Sequence, residues 1–246
     1  MTIGFIGGGN MARALARGLA EPVLVTDGGS GRAAALAGEV GGEAMSSNAG
    51  LAERVDIVIL AHKPSQLEAV AAEVGDRAGR VISVLGGTTL ERLRTAYPAA
   101  EVVRAMPNTA VEVRQGVTCL CIDGAVELGA DARALFGRVG LVVELPERLI
   151  DAATAVSGVA PAYVALIAEA WIDAAIRHGL PPGQAAELVG ASISGSAALL
   201  RARSMDTLTV RREVTSPGGM TARGLQALER SGLRAAFARA TDDVLA

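Results

Sequence analysis

Two hydropathy patterns divide the chain. Up to about residue 148, short apolar runs alternate with stretches of helical periodicity; beyond it, apolar residues recur only at helical spacing. The first region predicts strands at Thr2 to Ile6, Val23 to Thr26, Glu43 to Met45, Asp56 to Ala61, Arg80 to Leu85, Glu101 to Ala105 and Gly116 to Ile122. Between them it predicts helices at Asn10 to Ala20, Gly31 to Ala37, a stretch ending near Arg54, Gln66 to Val74 and Leu90 to Tyr97. Near-continuous apolar strands separated by helices describe a mainly parallel sheet covered on both faces. The expectation is an α/β domain over residues 1–148 and an all-α domain over 149–246, joined without a Ser/Pro/Gly-rich linker.

The helical half carries a second message. Leu149 to Ile176 has few charges, and Gln184 to Leu200 has only Glu187. A helix without a polar face must bury more than one face. So short a segment has little else to hide these surfaces against, which predicts an obligate homodimer, or a higher homo-oligomer, through the C-terminal helices. Pro161, three residues after Gly158, should break or kink the helix there. The longest uncharged run, Ala152 to Ala168, includes Thr154, Ser157, Gly158 and Pro161 and makes a poor bilayer span, so no membrane partner is expected.

Composition narrows the function classes. With 23 basic against 26 acidic residues and a net charge of −3, the chain does not read as a nucleic-acid or anionic-membrane binder. The first charged side chain is Arg13, so no basic leader is read at the N-terminus. Cys119 and Cys121 alternate on a strand-like stretch and share a face, at neither redox nor metal-site spacing. They are expected to be reduced packing thiols in a cytoplasmic protein that holds no metal.

The chemistry-bearing signal lies at the N-terminus. Gly7-Gly8-Gly9-Asn10-Met11-Ala12 is a G-x-G-x-x-A turn between the first strand and the first helix, where backbone N–H groups and a helix N-terminus can meet a pyrophosphate. This predicts a dinucleotide-binding, Rossmann-like doubly wound domain. The second strand ends at Asp27, twenty positions after Gly7, where a carboxylate can accept from an adenosine ribose and favour NAD(H). It is followed by Gly28-Gly29-Ser30-Gly31-Arg32, which can instead hold the 2′-phosphate of NADP(H), and Asp27 can equally cap the next helix. The coenzyme stays open at this point. Lys63, the chain's sole lysine, closes the fourth strand within Ala61-His62-Lys63-Pro64, at the sheet edge where such folds bind ligands. Gly86 and Gly87 end the next strand and can bring backbone close to a cofactor, and Arg104-Ala105-Met106-Pro107-Asn108-Thr109 ends the one after.

Taken with Pro161-Ala162-Tyr163 and above all Val214-Thr215-Ser216-Pro217-Gly218-Gly219-Met220-Thr221, these motifs give a chain that resembles pyrroline-5-carboxylate reductases nearly end to end. The resemblance implies hydride transfer from NAD(P)H to a cyclic imine bearing a carboxylate, giving L-proline, in a dimer or larger assembly. By similarity, Asn48 and Lys63 contact the cofactor; His62 and Pro64, adjoining Lys63 at the same sheet edge, are grouped with them as cofactor candidates, beside the glycine turn, Gly86 and Gly87. Met106, Asn108 and the loop Ser216, Pro217, Gly218, Gly219, Met220 and Thr221 belong with the substrate, and Thr221 and Lys63 are the catalytic candidates. Independently of the resemblance, Gly218 and Gly219 leave N–H groups unshielded at a helix start, a place for a carboxylate. The chain departs from the family's usual residues at His62, Leu85-Gly86-Gly87, Ala110, Val159 and Ala160. Those departures keep two alternatives open: a related cyclic imino acid with a six-membered or substituted ring, and a cofactor-binding protein without turnover. A β-hydroxyacid dehydrogenase, which shares the N-terminal half, is a weak alternative, because the helical half holds no lysine to serve as its catalytic residue.

Overall fold

A computed structural model describes Met1–Ala246 and divides the chain into two compact units, Met1–Pro161 and Ala162–Ala246. The strands are β1 (Ile3–Ile6), β2 (Leu24–Thr26), β3 (Glu43–Ala44), β4 (Ile57–Leu60), β5 (Arg80–Ser83), β6 (Glu101–Pro107), β7 (Gly116–Cys121) and β8 (Gly140–Glu144). In the first unit the helices are α1 (Asn10–Leu19), α2 (Arg32–Val40), α3 (Asn48–Ala52), α4 (Leu67–Val74), α5 (Leu90–Ala96), α6 (Val126–Gly137) and α7 (Glu147–Ser157). The remaining helices are α8 (Ala160–Arg177), α9 (Pro182–Ala202), α10 (Thr207–Glu213), α11 (Met220–Arg230) and α12 (Leu233–Leu245).

One eight-stranded sheet runs β3-β2-β1-β4-β5-β6-β7-β8. Every neighbouring pair is parallel except β6 and β7, which pair antiparallel. Alternation along the strands sends Phe5, Ile57 and Ile59 into one core layer and Ile6, Val58 and Leu60 into the other. Chain order reverses direction at β1, flanked by β2 and β4, so the turn after β1 opens at the topological switch point.

The described elements extend the sequence expectation in two places. Residues 123–146, left without assigned elements, form α6 and the edge strand β8. In α6, Leu128, Ala132, Leu135 and Phe136 recur at helical spacing and are buried. β8 alternates poorly, and it approaches β7 so closely that a Cβ on Gly140 would lie 2.0 Å from the Gly116 carbonyl oxygen.

The compact units part after Pro161, whereas the expected boundary was 148/149. The reason is α7. Its Ile150 is fully buried in the sheet's second core layer, and Arg104 on β6 binds its Glu147 and Asp151. The helix stops at Ser157, and Pro161 falls in the first turn of α8, where its missing N–H costs nothing. Cys119 and Cys121 are free, buried and in the same core layer.

In the second unit the large apolar residues find little cover. Only Ala185 and Val189 are buried, while Leu166 is 65% exposed and Trp171 50%. Surface of this extent on one copy of a chain is an association surface.

Candidate dinucleotide site and substrate loop

The site in the first unit begins with the turn after β1. Gly7 has φ +110, and a Cβ there would lie 2.6 Å from the Ala61 carbonyl and the His62 nitrogen, so only glycine lets β1 and β4 approach this closely. Its N–H donates to the Thr26 carbonyl at 2.9 Å, which ties the turn to the end of β2. Gly8 is pressed against the start of α2, where a Cβ would lie 3.0 Å from the Arg32 carbonyl carbon. Gly9 differs. A Cβ there would meet no protein atom nearer than 3.9 Å, so the protein's own packing does not require a glycine. It is the N-cap of α1 and offers no side chain to the helix's first N–H groups, which are left for a ligand.

A cavity of about 590 Å³ opens over this turn. It is lined by Gly7, Gly8 and Gly9, by Asp27 and the loop to Arg32, by Asn48, His62 and Lys63, and by one face of α4. The volume suits a dinucleotide. Of the residues expected from sequence to hold a cofactor, seven line it, whereas Asn10, Met11, Pro64, Gly86 and Gly87 do not. Met11 packs against the core, and Pro64 opens the short 3-10 turn leading into α4.

Asp27 caps the next helix. One carboxylate oxygen accepts from the Gly29 N–H at 2.8 Å, and the other accepts from the Ser30 hydroxyl at 3.0 Å and the Ala33 N–H at 2.8 Å. These donors, the Ala33 N–H first, hold its pKa below the usual carboxylate value. The carboxylate thereby orders the loop that presents Ser30 and Arg32. Arg32 and Lys63, the two cations of the cavity, have no acidic partner in the fold.

Asn48 is fixed on both sides. The Thr26 hydroxyl donates to its Oδ1, and its Nδ2 donates to Glu73, each at 2.6 Å. His62 Nδ1 lies 2.9 Å from the Lys63 carbonyl, which can only accept, so Nδ1 carries the proton and neutral Nε2 is the acceptor. Burial pushes its pKa down.

Met106 is half-buried on β6. Asn108 is buried, and both ends of its amide are engaged: Nδ2 donates to the Ser157 carbonyl at 3.0 Å and Oδ1 accepts from the Val117 N–H at 3.1 Å. Leu85 is also buried, 2% exposed, so that departure from the family pattern repacks a core and does not reshape a pocket.

In the second unit, the Ser216 to Thr221 loop leads into α11 as the sequence implied. Gly218 takes φ +70, and Gly219 is the N-cap of α11, with its N–H donating to the Ser216 carbonyl at 3.1 Å. A Cβ on Gly219 would lie 2.4 Å from Ser216 Oγ. Met220 and Thr221 are exposed, and the Thr215 hydroxyl is buried without a partner.

Residues 147–246 match the family described as pyrroline-5-carboxylate reductase dimerisation, and residues 2–87 match NADP oxidoreductase coenzyme F420-dependent. A pyrroline-5-carboxylate reductase of Synechocystis is 38% identical over 249 residues, 97% of this chain and 93% of the relative. The chain belongs to the pyrroline-5-carboxylate reductase family. A second reductase of that name, from Thermus thermophilus, is 37% identical across 98% of this chain and 95% of its own length. Among solved structures, the Streptococcus pyogenes enzyme aligns with a TM-score of 0.89 at 32% identity, covering 99% of this chain and 96% of that one. The Plasmodium falciparum enzyme, solved with NADP bound, aligns at 0.90 with 29% identity, covering 99% and 95%.

Sequence reasoning missed the wall of this reductase's cavity formed by Gln66, just before α4, and by Ala69, Val70 and Glu73 on α4. The signal was available in their spacing, since positions three, four and seven apart share one helix face. It also missed the buried Arg104, which sits inside an apolar strand.

Proposed function

We propose that this chain reduces 1-pyrroline-5-carboxylate to L-proline, the last step of proline synthesis, with NADPH as the reductant. What carries this reading is one observation: the match to pyrroline-5-carboxylate reductases runs through both halves, so the dinucleotide turn and the Thr-Ser-Pro-Gly-Gly loop occur together in one chain. Bound NADPH supplies a hydride to the imine carbon while the imine nitrogen carries a proton.

The residues' work is binding and orientation. The bare N-terminus of α1, with Gly9 beside it, receives the pyrophosphate. Lys63 adds the ammonium that fixes the cofactor and so places its reacting end. Ser30 and Arg32 take the 2′-phosphate; Asp27, which would favour a free 2′-hydroxyl, is already engaged by three donors. The N–H groups around Gly218 and Gly219, at the start of the eleven-residue α11, receive the substrate carboxylate. The helix dipole favours an anion there by about 0.3–1 kcal/mol. Thr221 supports the imine nitrogen with its hydroxyl. Met106 and Asn108 serve the substrate side, with Asn108 acting as a positioning residue through Val117 and Ser157. A protonated imine is already a strong hydride acceptor, so proximity and orientation suffice without a strong base.

The enzyme works as a homodimer or higher homo-oligomer of its C-terminal helices, which leave Leu166 and Trp171 exposed on a single copy. Two free buried thiols fit a reducing, cytoplasmic setting. The test is NADPH and NADH oxidation with 1-pyrroline-5-carboxylate beside its six-membered homologue. Efficient turnover of the five-membered ring with NADPH supports the proposal. Turnover of only the larger ring, or binding of NADPH without turnover, overturns it.

A further inference from the structure

The cavity holds one carboxylate that phosphate binding does not explain. Gln66, Ala69, Val70 and Glu73 face it from the α4 side, with small apolar residues between polar ones. Asp27 is consumed by capping α2. Glu73 is not: Asn48 Nδ2 donates to its Oε2, no Arg or Lys pairs with it, and Oε1 has no partner. Glu73 is exposed to water, but once a polyanionic ligand covers it the carboxylate is unfavourably placed unless it accepts from a hydrogen-bond donor of that ligand. The Thr26–Asn48–Glu73 chain ties this carboxylate to the end of β2, with Asp27 and Arg32, hence to the adenosine half of a dinucleotide. In that half the exocyclic amino group of the base is a donor attached to a flat ring, and Ala69 and Val70 add apolar lining on the same helix as the carboxylate.

We propose that Glu73, oriented by Asn48, accepts a hydrogen bond from the exocyclic amino group of adenine and makes this site selective for an adenine dinucleotide. The proposal rests on the assignment of the cavity to NADPH. A 6-oxo base would put an acceptor against the carboxylate, so the site rejects hypoxanthine at the same position.

The experiment is calorimetric titration of the full chain with NADP⁺ and with nicotinamide hypoxanthine dinucleotide phosphate. The native protein should bind the adenine form at least about tenfold more tightly, the scale of one charge-assisted hydrogen bond. Glu73→Gln, whose amide can donate to a 6-oxo group, should shrink that ratio to within about threefold. Glu73→Ala should shrink it as well, and serves if the amide variant folds poorly. Arg32→Ala should weaken both forms by the same factor and leave the ratio intact. Equal binding of the two forms by native protein, a ratio unchanged in Glu73→Gln, or equal weakening of both forms in that variant would each overturn the proposal. No binding of NADP⁺ by native protein would overturn the NADPH assignment itself, and the proposal with it.

Discussion

Arg104, its side chain 2% exposed, donates to Glu147 at 2.7 Å, joining the middle of β6 to the first turn of α7. A second donor of the same guanidinium reaches Asp151 at 2.7 Å, one helical turn on. A buried guanidinium is tolerable only with such partners. The pairs hold α7 to the sheet, and with it Ser157, whose carbonyl accepts from Asn108.

Arg104→Ala should therefore lower stability by about 2–4 kcal/mol, short of the largest values for fully buried pairs because both carboxylates can rehydrate. Glu147→Ala should cost more than Asp151→Ala. Glu147 is 34% exposed against 68%, and it also accepts the Leu90 N–H. Urea unfolding of the three variants checks this order.

The two free cations of the cavity should separate by cofactor. Arg32→Ala should raise KM for NADPH about tenfold or more while leaving KM for NADH within about threefold, since only NADPH carries the phosphate that a charge-assisted pair would hold. Lys63→Gln should weaken both coenzymes. Initial rates with each coenzyme decide it, and equal effects of Arg32→Ala on both would remove the 2′-phosphate assignment.

Thr221→Val keeps the size of the side chain and removes its hydroxyl. If that hydroxyl supports the imine nitrogen, kcat should fall about tenfold or more with little change in cofactor affinity. Steady-state rates paired with NADPH titration make the measurement, and an unchanged kcat would dismiss the role.

His62 predicts a pH dependence of stability. Burial lowers its pKa in the folded protein from the ordinary 6.5, so below that pH the unfolded chain binds a proton the folded chain refuses. Stability is then lost as pH falls from 6.5 toward the folded value, by at most about 1.4 kcal/mol per pH unit. Thermal unfolding between pH 7.5 and 5.5 should show this slope, and His62→Gln should flatten it.

How far the sequence reveals this molecule depends on the kind of signal. The strand, glycine turn and helix around Gly7 were legible because close backbone approach there admits no side chain, and a glycine run records that directly. The loop at Gly218 and Gly219 was legible for a different reason: Gly218 takes φ +70, a conformation that favours glycine, and the pair leaves the N–H groups at the start of α11 unshielded. Asp27 was ambiguous in sequence, because ribose binding and helix capping use the same residue at the same place; in the structure it lines the cavity and also caps α2 through hydrogen bonds from Ala33, Gly29 and Ser30. α7 was read with the helical half because the strand pattern ends before it, whereas Arg104 binds it back to the sheet through contacts between residues 43 and 47 positions apart, which no sequence pattern records. Glu73 went unnoticed because a glutamate on a surface helix carries no pattern of its own until Asn48 and the cavity are seen beside it.

The central claim is hydride transfer to a cyclic imine, and isotope tracing tests it most directly. The purified protein would be incubated with 1-pyrroline-5-carboxylate and NADPH deuterated at its transferable position, and the product analysed by mass spectrometry. The account predicts L-proline carrying one deuterium on the former imine carbon, with one NADP⁺ formed per proline. Bound but unoxidised NADPH, or proline without deuterium, would contradict it.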